Sequence, residues 1–207
     1  MDKIFTKNIE HESAVKHVTG KAIYTDDISE PKNLLHAVIG YSNCSKGVIK
    51  KIDYKDVLSS EGVVDIITEK DIEGINDVGP IFKGDKIFTS KNIEYYGQPI
   101  FAVIAKTNNL AKKAALKVKI DLKISKPIVS IEEALKKKSF VLKPKYLTRG
   151  NIKDGFKKSD NILKGKLYSG GQDHFYLEGQ IAMTIPQEDN NFLVYSSTQH
   201  PSETQQI

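Results

Sequence analysis

Cysteine is nearly absent from this chain. Cys44 is the single one in 207 residues, which excludes an internal disulfide framework and a cysteine-ligated zinc site. Arginine is equally scarce. Of 31 basic residues only Arg149 carries the planar guanidinium that does most recognition of phosphate and guanine. The net charge of +5 therefore rests on lysines interleaved with 26 acidic residues, and no nucleic-acid partner is expected. No run approaches the roughly 18 consecutive apolar residues of a membrane span, so no membrane partner is expected either. Residues 1–5 (MDKIF) lack the apolar core of a signal peptide, and together these absences point to the cytoplasm. There is no GxxxxGK[ST] phosphate loop, no GxGxxG after a strand, no HExxH or HxH among the five histidines, and no serine nucleophile elbow. No internal repeat of solenoid period is present.

What the chain does contain is an ordinary globular composition, 39% apolar and 28% charged. Residues 34–41 (LLHAVIGY) read as a strand, with 48–53 as its partner. Residues 54–59 suggest a short helix stopped near Gly62, and the β-branched run 63–67 a buried strand. Thr68 and Asp71 have the spacing of a capping box. Residues 72–99 are punctuated by glycine and proline and read as loop. Strand 100–105, helix 108–117 capped by Thr107, and alternating strand 118–124 make a mixed α/β unit. The proline- and lysine-containing stretch 124–144 reads as a linker. Ser130, with Glu133 at the capping-box position, opens a helix over 131–137, and 151–159 a second. Longer strands are expected at 161–169, 175–185 and 191–196. Pro201 looks like the first turn of a helix that has no room to form before Ile207. Because the chain stops in mid-element, a fragment of a longer protein is expected.

Few residues are placed to do chemistry. Asp173 and His174, beside Gly170-Gly171, form either an acid–imidazole pair for general-base work or a tight turn whose polar side chains satisfy backbone groups. The spacing favours the turn. Cys44, at a strand end, reads as an inert thiol. Residues 196–201 (SSTQHP) join a strand end to a helix start, where side-chain amides read ligands in α/β proteins. Gln199 could there contact an oxo group or an anion without bringing a charge. A plain capping loop explains the same residues, and from spacing alone it is preferred.

Five segments together resemble the molybdenum-cofactor-binding portion of the xanthine dehydrogenase/aldehyde oxidase family. They are residues 20–27 (GKAIYTDD), 76–81 (NDVGPI), 96–99 (YGQP), 170–180 (GGQDHFYLEGQ) and 195–201 (YSSTQHP), and the likeness runs from about residue 13 to the end. The last two segments are similar to the xanthine dehydrogenase branch in particular.

The resemblance implies an α+β fold. It begins with an N-terminal arm over 1–17 and an α/β-hammerhead domain over 18–123. A linker over 124–144 then leads to the truncated start of the first molybdenum-cofactor-binding domain at 145–207. It implies an oxidoreductase that hydroxylates xanthine or hypoxanthine with oxygen from water. Molybdenum would be held by molybdopterin rather than by side chains, and electrons would pass to [2Fe–2S] clusters and FAD on other domains or subunits. A hetero-oligomer with an Fe–S/FAD subunit is implied. An aldehyde substrate, or a non-catalytic hammerhead interaction module, are the alternatives.

Residue by residue, Gln199 matches the family glutamine that hydrogen-bonds to a molybdenum oxo ligand, which reverses the preference for a plain loop. His174 and Glu178 match a family motif and are expected to support the cofactor domain from outside the cofactor's own contacts. The family's catalytic glutamate, its glycine-rich cofactor loop and its substrate-reading arginine and phenylalanines would lie beyond Ile207. No catalytic residue and no direct metal ligand is therefore expected in this chain, which alone should be inactive.

Overall fold

The apolar run PIFAVIA has two neighbours to satisfy it, and it becomes the centre of the core. In the computed structural model, which describes residues 10–176 and 178–207, Pro99–Ala105 is the middle strand of a three-stranded antiparallel sheet. The first nine residues, on which most of the expected arm and the signal-peptide reading fall, lie outside the described residues, as does Leu177 of the 170–180 motif. A short helix, α1 (Ala14–Val18), follows the undescribed start.

The remaining elements up to the centre of the chain are β1 (His36–Tyr41), β2 (Gly47–Asp53), α2 (Lys55–Leu58), β3 (Val63–Ile67), β4 (Asn92–Ile93), β5 (Pro99–Ala105), α3 (Asn108–Ala115) and β6 (Lys119–Ile124). The first sheet has the order β1-β5-β3, and its register sets His36 against Ala105 and Val38 against Val103. The second has the order β4-β2-β6. Sequence reading expected β2 to pair with β1, and it does not. β1 takes β5 as partner, and the buried knot after Tyr41 turns the chain into the other sheet. In that knot Ser42 N–H donates to Gln98 O at 2.9 Å and Gly97 N–H to Ser42 O at 3.1 Å.

Helix α3 packs on β1 and β5 through Ala111 and Ala114, both fully buried. Thr107 Oγ1 accepts from Leu110 N–H at 3.3 Å, the N-cap expected of it. Phe101, also fully buried, lies with its ring over Gly40 and edge-on to Tyr54, the ring centres 5.2 Å apart. A side chain at position 40 would occupy the ring's place, so strand β1 needs glycine there. The Thr68–Asp71 capping box forms as its spacing predicts, with Thr68 N–H donating to Asp71 Oδ2 at 2.7 Å.

Contacts divide the chain into two compact units. The first comprises residues up to Lys123 together with Tyr176–Ile207, and the second is Ile124–Phe175. The second carries α4 (Ile131–Lys137) and α5 (Ile152–Lys158). The first is capped as its sequence suggests, by Ser130 Oγ on Glu133 N–H at 3.2 Å, while Asn151, expected inside the second helix, instead caps it with Oδ1 on Lys153 N–H at 3.0 Å. The expected strand at 161–169 is absent. Its apolar residues Leu163, Leu167 and Tyr168 are exposed, and among the described residues no neighbouring strand takes up its backbone groups.

Within the first unit β7 (Ala182–Pro186) and β8 (Phe192–Ser196) form a hairpin with Ala182 opposite Ser196. Only 182–186 of the expected 175–185 strand is paired, because β8 offers five residues to pair with. Helix α6 (Pro201–Gln206) does form, contrary to expectation. Pro201 opens it, and Thr204 N–H to His200 O and Ile207 N–H to Glu203 O close it within six residues.

Candidate functional site

The 195–201 motif makes a braced turn between β8 and α6. Ser197 locks it to the start of β7: its N–H donates to Ile181 O at 3.1 Å, and its Oγ accepts from Ile181 N–H at 3.0 Å. Thr198 Oγ1 accepts from His200 N–H at 3.1 Å and meets Thr204 Oγ1 at 3.2 Å. These bonds leave Gln199 at the crest. Its side chain is exposed, and Nε2 donates to Tyr176 Oη at 3.4 Å.

Gln199 and Glu178 line one cavity of about 330 Å³, shared with Ser196, Thr198 and Tyr176. Glu178 is half-buried, and its Oε1 accepts from Thr25 N–H at 3.4 Å. Thr25 belongs to the 20–27 motif, which folds as a 3₁₀ turn over Thr25–Asp27 closed by Asp27 Oδ2 on Tyr24 N–H at 2.9 Å. Two motifs 153 residues apart are thus tied by one carboxylate. His174 lies in the other compact unit, in an exposed irregular stretch. Beside it Asp173 Oδ1 accepts from Phe175 N–H at 3.4 Å, the turn-type bond that the plainer reading expects.

The donors and acceptors around this cavity are amide, hydroxyl and one carboxylate, with no lysine or arginine among its lining residues. Such a set fits a neutral hydrogen bond from Gln199 to an oxo group. It does not supply the cations that would hold a phosphate. Among the described residues no three His, Cys, Asp or Glu side chains are grouped to bind a metal ion, and no helix is long and apolar enough to cross a membrane. A larger cavity of about 810 Å³ is lined mostly by apolar side chains such as Val38, Phe101 and Leu116, with Ser42, Asn43 and Lys112 as its polar members. It offers little to chemistry.

Three motif residues have roles that sequence reasoning did not assign. Gln98 is buried, its Oε1 accepting from Glu94 N–H at 2.8 Å and its own N–H donating to Ser42 Oγ at 3.0 Å. Asn76 pairs with both backbone groups of Phe88, at 2.8 and 3.1 Å. Asp77 closes the following loop, with Oδ1 on Gly79 N–H at 2.8 Å and Oδ2 on Gly84 N–H at 2.7 Å. A glutamine between glycine and proline, and an Asn-Asp pair before a glycine-punctuated loop, are the local signals that could have pointed to them.

Comparison with known proteins gives these motifs a common origin. A family model described as aldehyde oxidase and xanthine dehydrogenase, a/b hammerhead domain, matches residues 19–126. A second, described as molybdopterin cofactor-binding domain, matches residues 134–207. The chain is 38% identical over 202 residues to a xanthine dehydrogenase of Dictyostelium discoideum, covering 98% of this chain and 15% of that one. It is also 38% identical over 199 residues to aldehyde oxidase 2 of Rattus norvegicus, covering 95% and 14%. Among solved structures, the aldehyde oxidoreductase from Desulfovibrio gigas superposes with a TM-score of 0.77 at 28% identity, over 90% of this chain and 23% of that one. The quinoline 2-oxidoreductase from Pseudomonas putida 86 also reaches 0.77, at 18% identity over 94% and 27%, a likeness of fold. The chain spans about 15% of the length of the curated relatives it matches. On the hammerhead match and the motifs that build the Gln199 turn, the chain belongs to the aldehyde oxidase and xanthine dehydrogenase family of oxidoreductases, with an α/β-hammerhead domain followed by a segment of the molybdopterin cofactor-binding domain.

Proposed function

We propose that this chain is part of a molybdenum hydroxylase acting on a purine such as xanthine or hypoxanthine, and that Gln199 is its one direct contact to the cofactor. When bound, the molybdenum–molybdopterin group supplies oxidation of a carbon with oxygen from water, and the electrons leave through [2Fe–2S] clusters and FAD carried on other domains or subunits. The observation that carries this reading is the Gln199 amide, a neutral donor held at the crest of a turn that the Ser197 and Thr198 hydroxyls brace. Glu178 lines the turn's cavity and ties it to Thr25 of the hammerhead domain. His174 is assigned a supporting role in the cofactor domain, by its motif. The preference for a purine over an aldehyde rests on segments 170–180 and 195–201. A cytoplasmic location accompanies the reading, as does assembly with an Fe–S/FAD subunit.

The test is Gln199→Ala in the full-length protein with its electron-transfer partners. A hydrogen bond to a charged acceptor is worth about 1.5–3 kcal/mol. If it strengthens in the transition state, turnover normalised to bound molybdenum falls about ten- to a hundredfold. His200→Ala has a smaller effect. Unchanged normalised turnover in Gln199→Ala returns the turn to a plain capping role. The ratio of kcat/KM for xanthine to that for an aldehyde decides the substrate class.

A further inference from the structure

The loop that follows Asn76 is built with unusual economy. Asn76 ties its base to the backbone of buried Phe88. Val78 N–H donates to Asp85 O at 2.8 Å across the neck. The Asp77 carboxylate then takes Gly79 N–H with one oxygen and Gly84 N–H with the other, at 2.8 and 2.7 Å. Lys83 Nζ closes the inside by donating to Gly79 O at 3.1 Å. Gly79 is buried, and a Cβ there would collide with the carbonyl oxygen of Phe82, so the chain can fold back only through glycine. The Gly79 N–H foremost, with Gly84 N–H, the Lys83 charge and Asp85 N–H, holds the Asp77 carboxyl below the usual carboxylate range.

All this bracing points an apolar tip outward. Ile81 is 83% exposed, yet with Pro80 it forms one wall of a cavity of about 580 Å³. The opposite wall is Gln199, His200, Pro201 and the first turn of α6. The hammerhead loop and the Gln199 turn therefore face each other inside one compact unit.

We propose that Asp77 is a positioning residue for the Gln199 turn: by locking the 78–84 loop in one shape it fixes the Pro80-Ile81 wall beside Gln199, His200 and Pro201. Its consequence for turnover rests on the reading of Gln199 as a cofactor contact. Its structural content does not. Asp77→Asn keeps the size of the side chain but sets an amide donor against a backbone donor, either Gly79 or Gly84.

Amide hydrogen exchange on the full chain reads the coupling directly. In Asp77→Asn, and in Gly79→Ala as an independent way of opening the loop, peptides covering 78–85 and 198–206 exchange about tenfold faster while β5 is unchanged. Faster exchange at 78–85 with 198–206 unaffected overturns the proposal, and so does no change in either. In the complete, molybdenum-loaded enzyme Asp77→Asn lowers normalised kcat about three- to tenfold, leaves KM within about twofold, and adds nothing to Gln199→Ala in the double variant. Independent, multiplying effects of the two substitutions overturn the positioning role. If Gln199→Ala alone is without effect, it is the cofactor-contact reading that fails, and the exchange result still decides the role of Asp77.

Discussion

The contact of Phe101 with Gly40 yields the sharpest energetic test of the fold. Phe101 is fully buried in the central strand, and its ring occupies the space a side chain at position 40 would need. Gly40→Ala must displace either the ring or strand β1. Forcing a methyl into a packed core costs about 1–3 kcal/mol. Replacing a strand glycine by alanine returns roughly 0.5–1 kcal/mol through the unfolded chain, so a net loss of about 1–2 kcal/mol is expected. Phe101→Leu, which removes the outer ring atoms, costs less than the roughly 3–5 kcal/mol of a Phe→Ala change. In the double variant the added methyl enters the space the ring has left. The two costs should then fall short of additivity by about 1–2 kcal/mol, within the range seen for residues in contact. Urea denaturation followed by far-ultraviolet circular dichroism measures all three variants, provided the denaturant slope stays constant. Costs that add within about 0.5 kcal/mol, or a neutral Gly40→Ala, would show that the ring does not depend on glycine at this position.

Three further outcomes follow from the same structure. Gln98→Ala leaves Glu94 N–H without its acceptor and should lower stability by about 1–3 kcal/mol, with faster hydrogen exchange at residues 94–98 than elsewhere in the unit; an unchanged denaturation midpoint refutes it. Burial and then the nearby Asp71 charge push the Tyr54 hydroxyl up to about 12 from its ordinary 10.0, so its ionisation is disfavoured more in the folded than in the unfolded chain. The resulting stabilisation is complete below pH 10.0 and is lost as pH rises through about 12, which denaturation of the wild type and Tyr54→Phe between pH 8 and 12 would reveal as a steeper loss in the wild type. Limited trypsin digestion should cut first within 124–145, where the lysines are exposed and connect apolar-patterned regions; first cleavage inside 100–119 argues against a boundary there.

What the sequence determined by itself is local. Thr107, Thr68 with Asp71, and Ser130 all cap the turns their spacing suggests, because the bond links a side chain to a backbone group three residues away. The strand over 100–105 was legible as a short uninterrupted apolar run; the run 63–67, expected as a buried strand, instead lies at the sheet edge with none of its residues buried. The role proposed for Gln199 rests on the family resemblance, since its spacing alone favoured a plain loop.

Pairing and facing were decided by the tertiary structure. β2 chose the second sheet over β1, and 161–169 formed no strand despite its apolar residues, because a strand is satisfied by its neighbour and not by its own composition. The bond from Thr25 to Glu178 joins residues whose separation along the chain carries no trace of the contact. The same holds for the wall that Ile81 presents to Gln199. The Asp77 carboxylate shapes the loop locally, but only folding brings that loop to the turn it faces.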